Sequence, residues 1–143
     1  MIRKIYETDP WLAPYAGAVE ARHAMILDAV KRLSGDGSLS DAANGHLYYA
    51  LHRDKDGWVM REWAPGATTI YLIGDFNNWK RTEAYRFNPI GDGNWELRIP
   101  EFVLRHGDLY KLRVEWPGGT GERIPAYATR VVQDPETKLF SAQ

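Results

Sequence analysis

The segment Gly74-Asp75-Phe76-Asn77-Asn78-Trp79, a short distance after Arg61-Glu62-Trp63-Ala64-Pro65-Gly66-Ala67, puts a tryptophan on a polar turn that follows an apolar strand. An indole presented in that way is a platform for sugar. A pyranose has a face of C–H groups and a rim of hydroxyls, and an aromatic plane flanked by amides meets both. A loop Trp also plugs the end of a sandwich core, and spacing alone leaves Trp79 open to either role. Trp63 closes a strand directly before the Ala-Pro-Gly turn and is assigned to packing. Trp95, which alternates with Leu97 and Ile99, is assigned to the core. Trp58 and Trp116 fit both descriptions.

Lys111, in Tyr110-Lys111-Leu112-Arg113-Val114, falls on the face opposite the apolar residues. Beside Trp79 its ammonium would donate to sugar hydroxyls and fix their orientation. Its alternative is a solvated strand lysine that discourages edge pairing. Acid–base or covalent catalysis needs a nucleophile beside a base, or two carboxylates in a cleft, and no such set is visible. Asp75 reads as a turn residue accepting backbone N–H bonds. His23, His46, His52 and His106 lack metal-ligand spacing, and no glycine-rich run has the form of a phosphate cradle. No catalytic residue, metal or cofactor is therefore expected.

The elements that must position these residues belong to a chain of 143 residues with a formal charge of −1, 44% apolar and 26% charged residues. That length suits one domain with an appendage. Six Trp, eight Tyr and four Phe make an aromatic share of 13%, more than core filling requires, which points to a ligand-contacting surface. The near-neutral charge and the lack of a Lys/Arg run argue against nucleic acid. Without cysteine there is no disulfide framework. No apolar run approaches membrane-spanning length, and the charged opening Met1-Ile2-Arg3-Lys4-Ile5-Tyr6-Glu7 has no apolar stretch after it, so a soluble cytoplasmic protein is expected.

Asp9-Pro10 reads as a cap and first helical position, and Pro14 interrupts the turn that follows. The main helix starts near Tyr15 and carries Tyr15, Val19, Ile26, Val30 and Leu33 on one face, ending at Ser34-Gly35-Asp36-Gly37. It needs a surface to pack on. After residue 45 the period falls to two, in Leu47/Tyr49/Leu51, Ile70/Leu72, Trp95/Leu97/Ile99 and Tyr110/Leu112/Val114/Trp116, with Gly- and Pro-containing turns between. The pattern predicts a mainly β fold: an immunoglobulin-like β-sandwich over 45–130, preceded by an α-helical leader over 1–44. Residues 131–143 show neither a helix cap nor a closing strand and read as the start of a linker.

The motifs quoted, with Gly93-Asn94-Trp95-Glu96, His106-Gly107 and Arg123-Ile124-Pro125-Ala126-Tyr127 in the same order, resemble the amino-terminal part of glycogen and starch branching enzymes of the α-amylase superfamily. The sandwich of those enzymes is a carbohydrate-binding module of family 48. The opening Asp9-Pro10-Trp11-Leu12 and the segment Gly45-His46-Leu47 resemble the leader of the eukaryotic-type enzymes, so nearly the whole chain is covered. The resemblance implies a module without catalytic activity that binds α-1,4-glucan (glycogen, starch, maltooligosaccharide) and docks on a catalytic barrel that would follow residue 143. The parent reaction it implies cuts an α-1,4 bond and transfers the glucan to a 6-hydroxyl by a retaining mechanism. It carries sugar stacking to Trp79 and hydrogen bonding to Lys111, with Asn77 and Asn78 as weaker candidates. Glycogen-sensing relatives have a second stacking Trp after the Tyr-Lys strand, where this chain has Pro117-Gly118-Gly119-Thr120-Gly121-Glu122-Arg123, and Trp116 comes several positions early. The alternative is a purely structural interaction domain packing on the barrel without sugar.

Overall fold

The computed structural model describes residues 4–143, so Met1-Ile2-Arg3 of the leader lie outside the described residues. The chain divides between Asn44 and Gly45 into two compact units. In the first, α1 (Ile5–Thr8) is followed by a 3₁₀ turn at Ala13–Tyr15, then α2 (Ala16–Ser34) and α3 (Leu39–Ala42). Asp9 accepts the Trp11 N–H at 2.9 Å, and Pro14 stays within the 3₁₀ turn where its missing N–H costs nothing, so α2 begins one residue after Tyr15. Gly35 ends α2 at φ 57°, a conformation glycine adopts without a Cβ penalty. Ser38 and Asp41 cap α3 reciprocally, Asp41 N–H to Ser38 Oγ at 3.2 Å and Ser38 N–H to Asp41 Oδ2 at 3.0 Å. The Ser38 hydroxyl, which donates to Asp41 Oδ2 at 2.7 Å, and then the Ser38 N–H hold the Asp41 carboxyl below its ordinary pKa. No side chain of α2 is buried.

The second unit has two antiparallel sheets. One is ordered β1 (Ala50–Asp54), β2 (Gly57–Trp63), β5 (Asn94–Ile99), β4 (Asn88–Gly91). The other runs β3 (Thr69–Gly74), β6 (Tyr110–Trp116), β9 (Phe140–Ala142), β8 (Val131–Gln133), with β7 (Gly119–Arg123) also on β6. Register brings alternate apolar residues opposite one another: Met60 faces Leu97 across β2 and β5, and Leu72 faces Leu112 across β3 and β6. The inward rows of both sheets, with Phe87 and Ala142, form one core. Each fully buried aliphatic in it, such as Ile70 or Leu112, contributes about 1.5–3 kcal/mol by leaving water. The result is the helix-preceded sandwich that the periodicity predicts.

Two local expectations change, and one strand is more deeply buried than its neighbours. Leu47 and Tyr49 are not on a strand: Gly45–Leu47 is a 3₁₀ turn, and β1 starts only at Ala50, which sits at φ 72°. Tyr49 instead stacks on Tyr127, centroids 5.3 Å apart, and donates to Asn94 Oδ1 at 2.7 Å, so the aromatic face is satisfied in a turn. Residues 131–143, expected as a linker without strand, form the β8–β9 hairpin, and Ala142 pairs with Tyr110 in the core. Strand β3 is buried on both faces, because the connection 75–87 crosses its outer side and bridges Tyr71 to Arg86.

Candidate functional site

That connection carries Trp79. Strand β3 ends at Gly74, where a Cβ would come within 2.3 Å of the Leu109 carbonyl oxygen, so only glycine admits the close passage of the two strands. Asp75–Asn77 then make one 3₁₀ turn, and Asn78 and Trp79 follow at φ 54° and 59°. A tryptophan in the left-handed region is an outlier that costs on the order of 1 kcal/mol. It persists because the turn is over-determined. The Trp79 N–H reaches Gly74 O at 2.9 Å, and Asn77 spends its whole amide on the backbone. Its Oδ1 accepts the Gly74 N–H at 3.0 Å, while Nδ2 donates to Leu72 O at 3.2 Å and Lys80 O at 2.9 Å.

The ring itself is held by Asp75. One carboxylate oxygen accepts the indole N–H at 3.0 Å and the other accepts the Leu109 N–H at 2.8 Å, tying the turn to the residue before β6. Trp79 remains 37% exposed. Lys111 stands on the outer side of β6, opposite Ile73 in register, and its Nζ lies 5.8 Å from the Trp79 ring centroid. A cation over an indole at that range is worth about 0.5–1 kcal/mol when exposed. Farther along the same face Arg81 meets Glu115 at 2.7 Å and lies over the Tyr71 ring at 4.7 Å. Burial, and then the Glu83 carboxylate that accepts its proton at 2.8 Å, raise the Tyr71 phenol above its ordinary pKa.

Of the four sequence candidates the structure thus brings Trp79 and Lys111 together. Asn78, which precedes Trp79 in the chain, is exposed. Asn77 is corrected to a positioning residue, because both of its N–H groups are already engaged. Asp75 does accept a backbone N–H, and its bond to the indole is the part the sequence reading missed; the four-residue spacing Asp75 to Trp79 was the available signal. Trp95 is buried and donates to Ala64 O at 3.0 Å. Trp63, assigned to packing, is 55% exposed and donates to Asp92 O at 3.1 Å. Its alternation with Arg61 places it on the polar side of β2. Trp58 is partly buried against the core, and Trp116 is 44% exposed at the far end of β6 from Lys111. Among the described residues no three His, Cys, Asp or Glu side chains group as a metal site requires, and no helix is long and apolar enough to cross a membrane.

Residues 48–135 match the family model of carbohydrate-binding module 48, described as the isoamylase N-terminal domain. Among curated proteins the chain is similar to 1,4-alpha-glucan-branching enzymes. It is 34% identical to that of Dictyostelium discoideum over 144 residues, which covers 96% of this chain and 21% of the relative. It is 33% identical to that of Yarrowia lipolytica over 141 residues, 94% of this chain and 20% of the relative. The chain therefore spans about a fifth of the length of these relatives. Among solved structures, a type I pullulanase from Bacillus subtilis complexed with maltose superposes with a TM-score of 0.51 at 19% identity, over 66% of this chain and 12% of that one. At that identity the likeness concerns the fold alone.

Proposed function

The chain belongs to the carbohydrate-binding module 48 family, and on that premise we propose that it is a non-catalytic α-glucan-binding module of a glucan branching enzyme. The observation that carries the reading is the exposed Trp79 ring, locked by Asp75 and faced by the Lys111 ammonium at 5.8 Å. The ring stacks on the C–H face of a glucose unit while Lys111, and Asn78 beside it, reach the hydroxyl rim. A site of so few contacts holds maltooligosaccharide weakly, with Kd on the order of 0.1–1 mM. In the parent chain a catalytic domain makes α-1,6 branches, and this module recruits or orients the polymer. A cytoplasmic setting and a part in glycogen synthesis complete the proposal. Titration of maltoheptaose into isotope-labelled protein tests it: the Trp79 indole and Lys111 signals should move and saturate in the millimolar range. Silence of both at that concentration removes the sugar-binding claim.

One set of observations favours the second reading, an interaction domain without sugar. Met25, Ile26 and Leu33 on α2 and Phe102 on the sandwich are all exposed apolar side chains. Under that reading the isolated chain self-associates and its spectrum ignores glucan.

A further inference from the structure

The loop between β5 and β6, residues 100–109, borders an open cavity of about 480 Å³ whose apolar side is Leu51, Trp58 and Leu104. That volume is usual for a small-ligand site. Each of the three apolar side chains also packs against the core. Tyr110, the first residue of β6, lines the cavity with them. It is only 6% exposed, yet its hydroxyl has no hydrogen-bond partner among the described residues. A phenol so deep in a protein normally has one. Tyr49 and Tyr71 follow that rule, donating to Asn94 Oδ1 at 2.7 Å and to Glu83 Oε1 at 2.8 Å. The Tyr110 hydroxyl is not sealed in the interior, because the cavity is its opening. Burial pushes the phenol above its ordinary pKa, so it stands there as a protonated donor.

The other polar groups of the lining divide by kind. The acceptors are engaged: Glu101 pairs with Arg53, and its carbonyl oxygen accepts the Trp58 indole N–H at 3.3 Å. Asp108 Oδ2 accepts the Arg105 N–H at 2.8 Å, and Gly107 O accepts the Gln143 amide at 3.2 Å. The donors are not engaged. The Arg105 guanidinium, the His106 ring and the Thr129 hydroxyl, like that of Tyr110, have no partner among the described residues. Arg53 and Arg105 balance Glu101 and Asp108 in formal charge, so it is the surplus of donors, and not bulk charge, that selects a ligand here. Such a surplus suits a group rich in acceptor oxygens. A carboxylate has two in one plane, whereas a phosphoryl group spreads three over a tetrahedron and meets donors from several sides. We propose that this cavity binds a small phosphate ester, with its phosphoryl oxygens on Arg105, His106, Thr129 and Tyr110 and its neutral ring body against Leu51, Trp58 and Leu104. Lys111 follows Tyr110 in the strand and stands on the opposite face, so this site and the Trp79 platform lie on different sides of the sheet. The inference does not rest on the reading of the module as an α-glucan binder.

The test is a ¹H–¹⁵N titration of the 143-residue chain, at fixed ionic strength, with glucose 6-phosphate, AMP, inorganic phosphate and glucose. Each is taken to about 20 mM, a level that saturates a millimolar site. The reporters are the Trp58 indole and the amides of Arg105 and His106. At least one ester should move them with Kd on the order of 1 mM, and the better of the two tells a sugar phosphate from a nucleotide. Inorganic phosphate, which has no body to place on the apolar side, should bind at least fivefold more weakly, and glucose should leave the reporters still. Arg105→Ala should weaken the ester at least tenfold. Tyr110→Phe should weaken it about three- to fivefold with an unchanged urea midpoint, since the hydroxyl removed has no partner in the protein. That variant decides the matter if Arg105→Ala disturbs the loop. Silence of the reporters with both esters overturns the proposal, and so does an equal response to glucose. Inorganic phosphate binding as tightly as either ester, or affinity unchanged in both variants, overturns it as well. The maltoheptaose titration is read at Trp79 and Lys111, so the failure of either site is seen separately from the other.

Discussion

The two ends of β6 present tryptophan by opposite means. At the Lys111 end, Trp79 stands on a backbone forced into the left-handed region, and the side chains of Asp75 and Asn77 keep it there. At the Trp116 end the backbone is ordinary strand, and the ring is placed by what is missing, the side chains of Gly119 and Gly121. The first arrangement spends hydrogen bonds on position, the second spends space. Their failure modes differ accordingly: the Trp79 turn breaks when a polar side chain is removed, and the Trp116 bed breaks when an apolar one is added.

Asn77→Ala should give the largest effect. It removes three hydrogen bonds and leaves the Gly74 N–H and the Leu72 and Lys80 carbonyls without their partner, at a cost of about 2–4 kcal/mol. Urea denaturation should show that loss, together with loss of the Trp79 response to glucan and an unchanged Trp63 environment. Gly119→Ala should cost about 1–2 kcal/mol and raise Trp116 exposure, read by fluorescence quenching, with the Trp79 signal unmoved. Trp79→Ala should weaken maltoheptaose binding at that end about tenfold, some 1.4 kcal/mol, while the urea midpoint barely moves because the ring is already partly in solvent. Lys111→Ala should weaken it about three- to fivefold, with Lys111→Arg restoring part of the loss.

The smallest effect is acidic. The Lys55 backbone N–H and then Arg98 hold the Asp54 carboxyl below its ordinary value, and the Thr137 and Glu136 backbone N–H groups with the Thr137 hydroxyl do the same for Asp134. Each lowered folded pKa contributes stability that is complete above the ordinary carboxylate range and is lost as pH falls through the folded value. Both groups are exposed, so the urea midpoint should decline only slightly as pH drops below about 4.

Strands β5 and β6 were readable because each alternates large apolar residues over five or more positions, as Tyr110-Leu112-Val114-Trp116 does. Leu47 and Tyr49 show the same alternation by accident of an aromatic turn, and periodicity alone does not separate the two. The β8–β9 hairpin was invisible for the reverse reason: its strands have three residues each, and the contact that seats it in the core is the single methyl of Ala142. Trp79 and Lys111 were legible as a pair through their motifs. The cavity at Tyr110 was not, since its walls come from Leu51, Trp58, the loop before β6 and Gln143, which meet only in the closed sandwich. The purpose of glycine at 119 and 121 shows only beside the ring it accommodates.

Strand β6 is hydrogen-bonded on both edges, to β3 along one side and to β7 and β9 along the other. Its amides should therefore be among the slowest in the molecule to exchange with deuterium, opening only with global unfolding. Trp116 sits on that strand and the Trp79 turn is tied to the residue just before it, so the β8–β9 hairpin and the β4 edge can fray without disturbing either ring. Recognition in this module should fade at one temperature with the whole sandwich, not piecemeal before it.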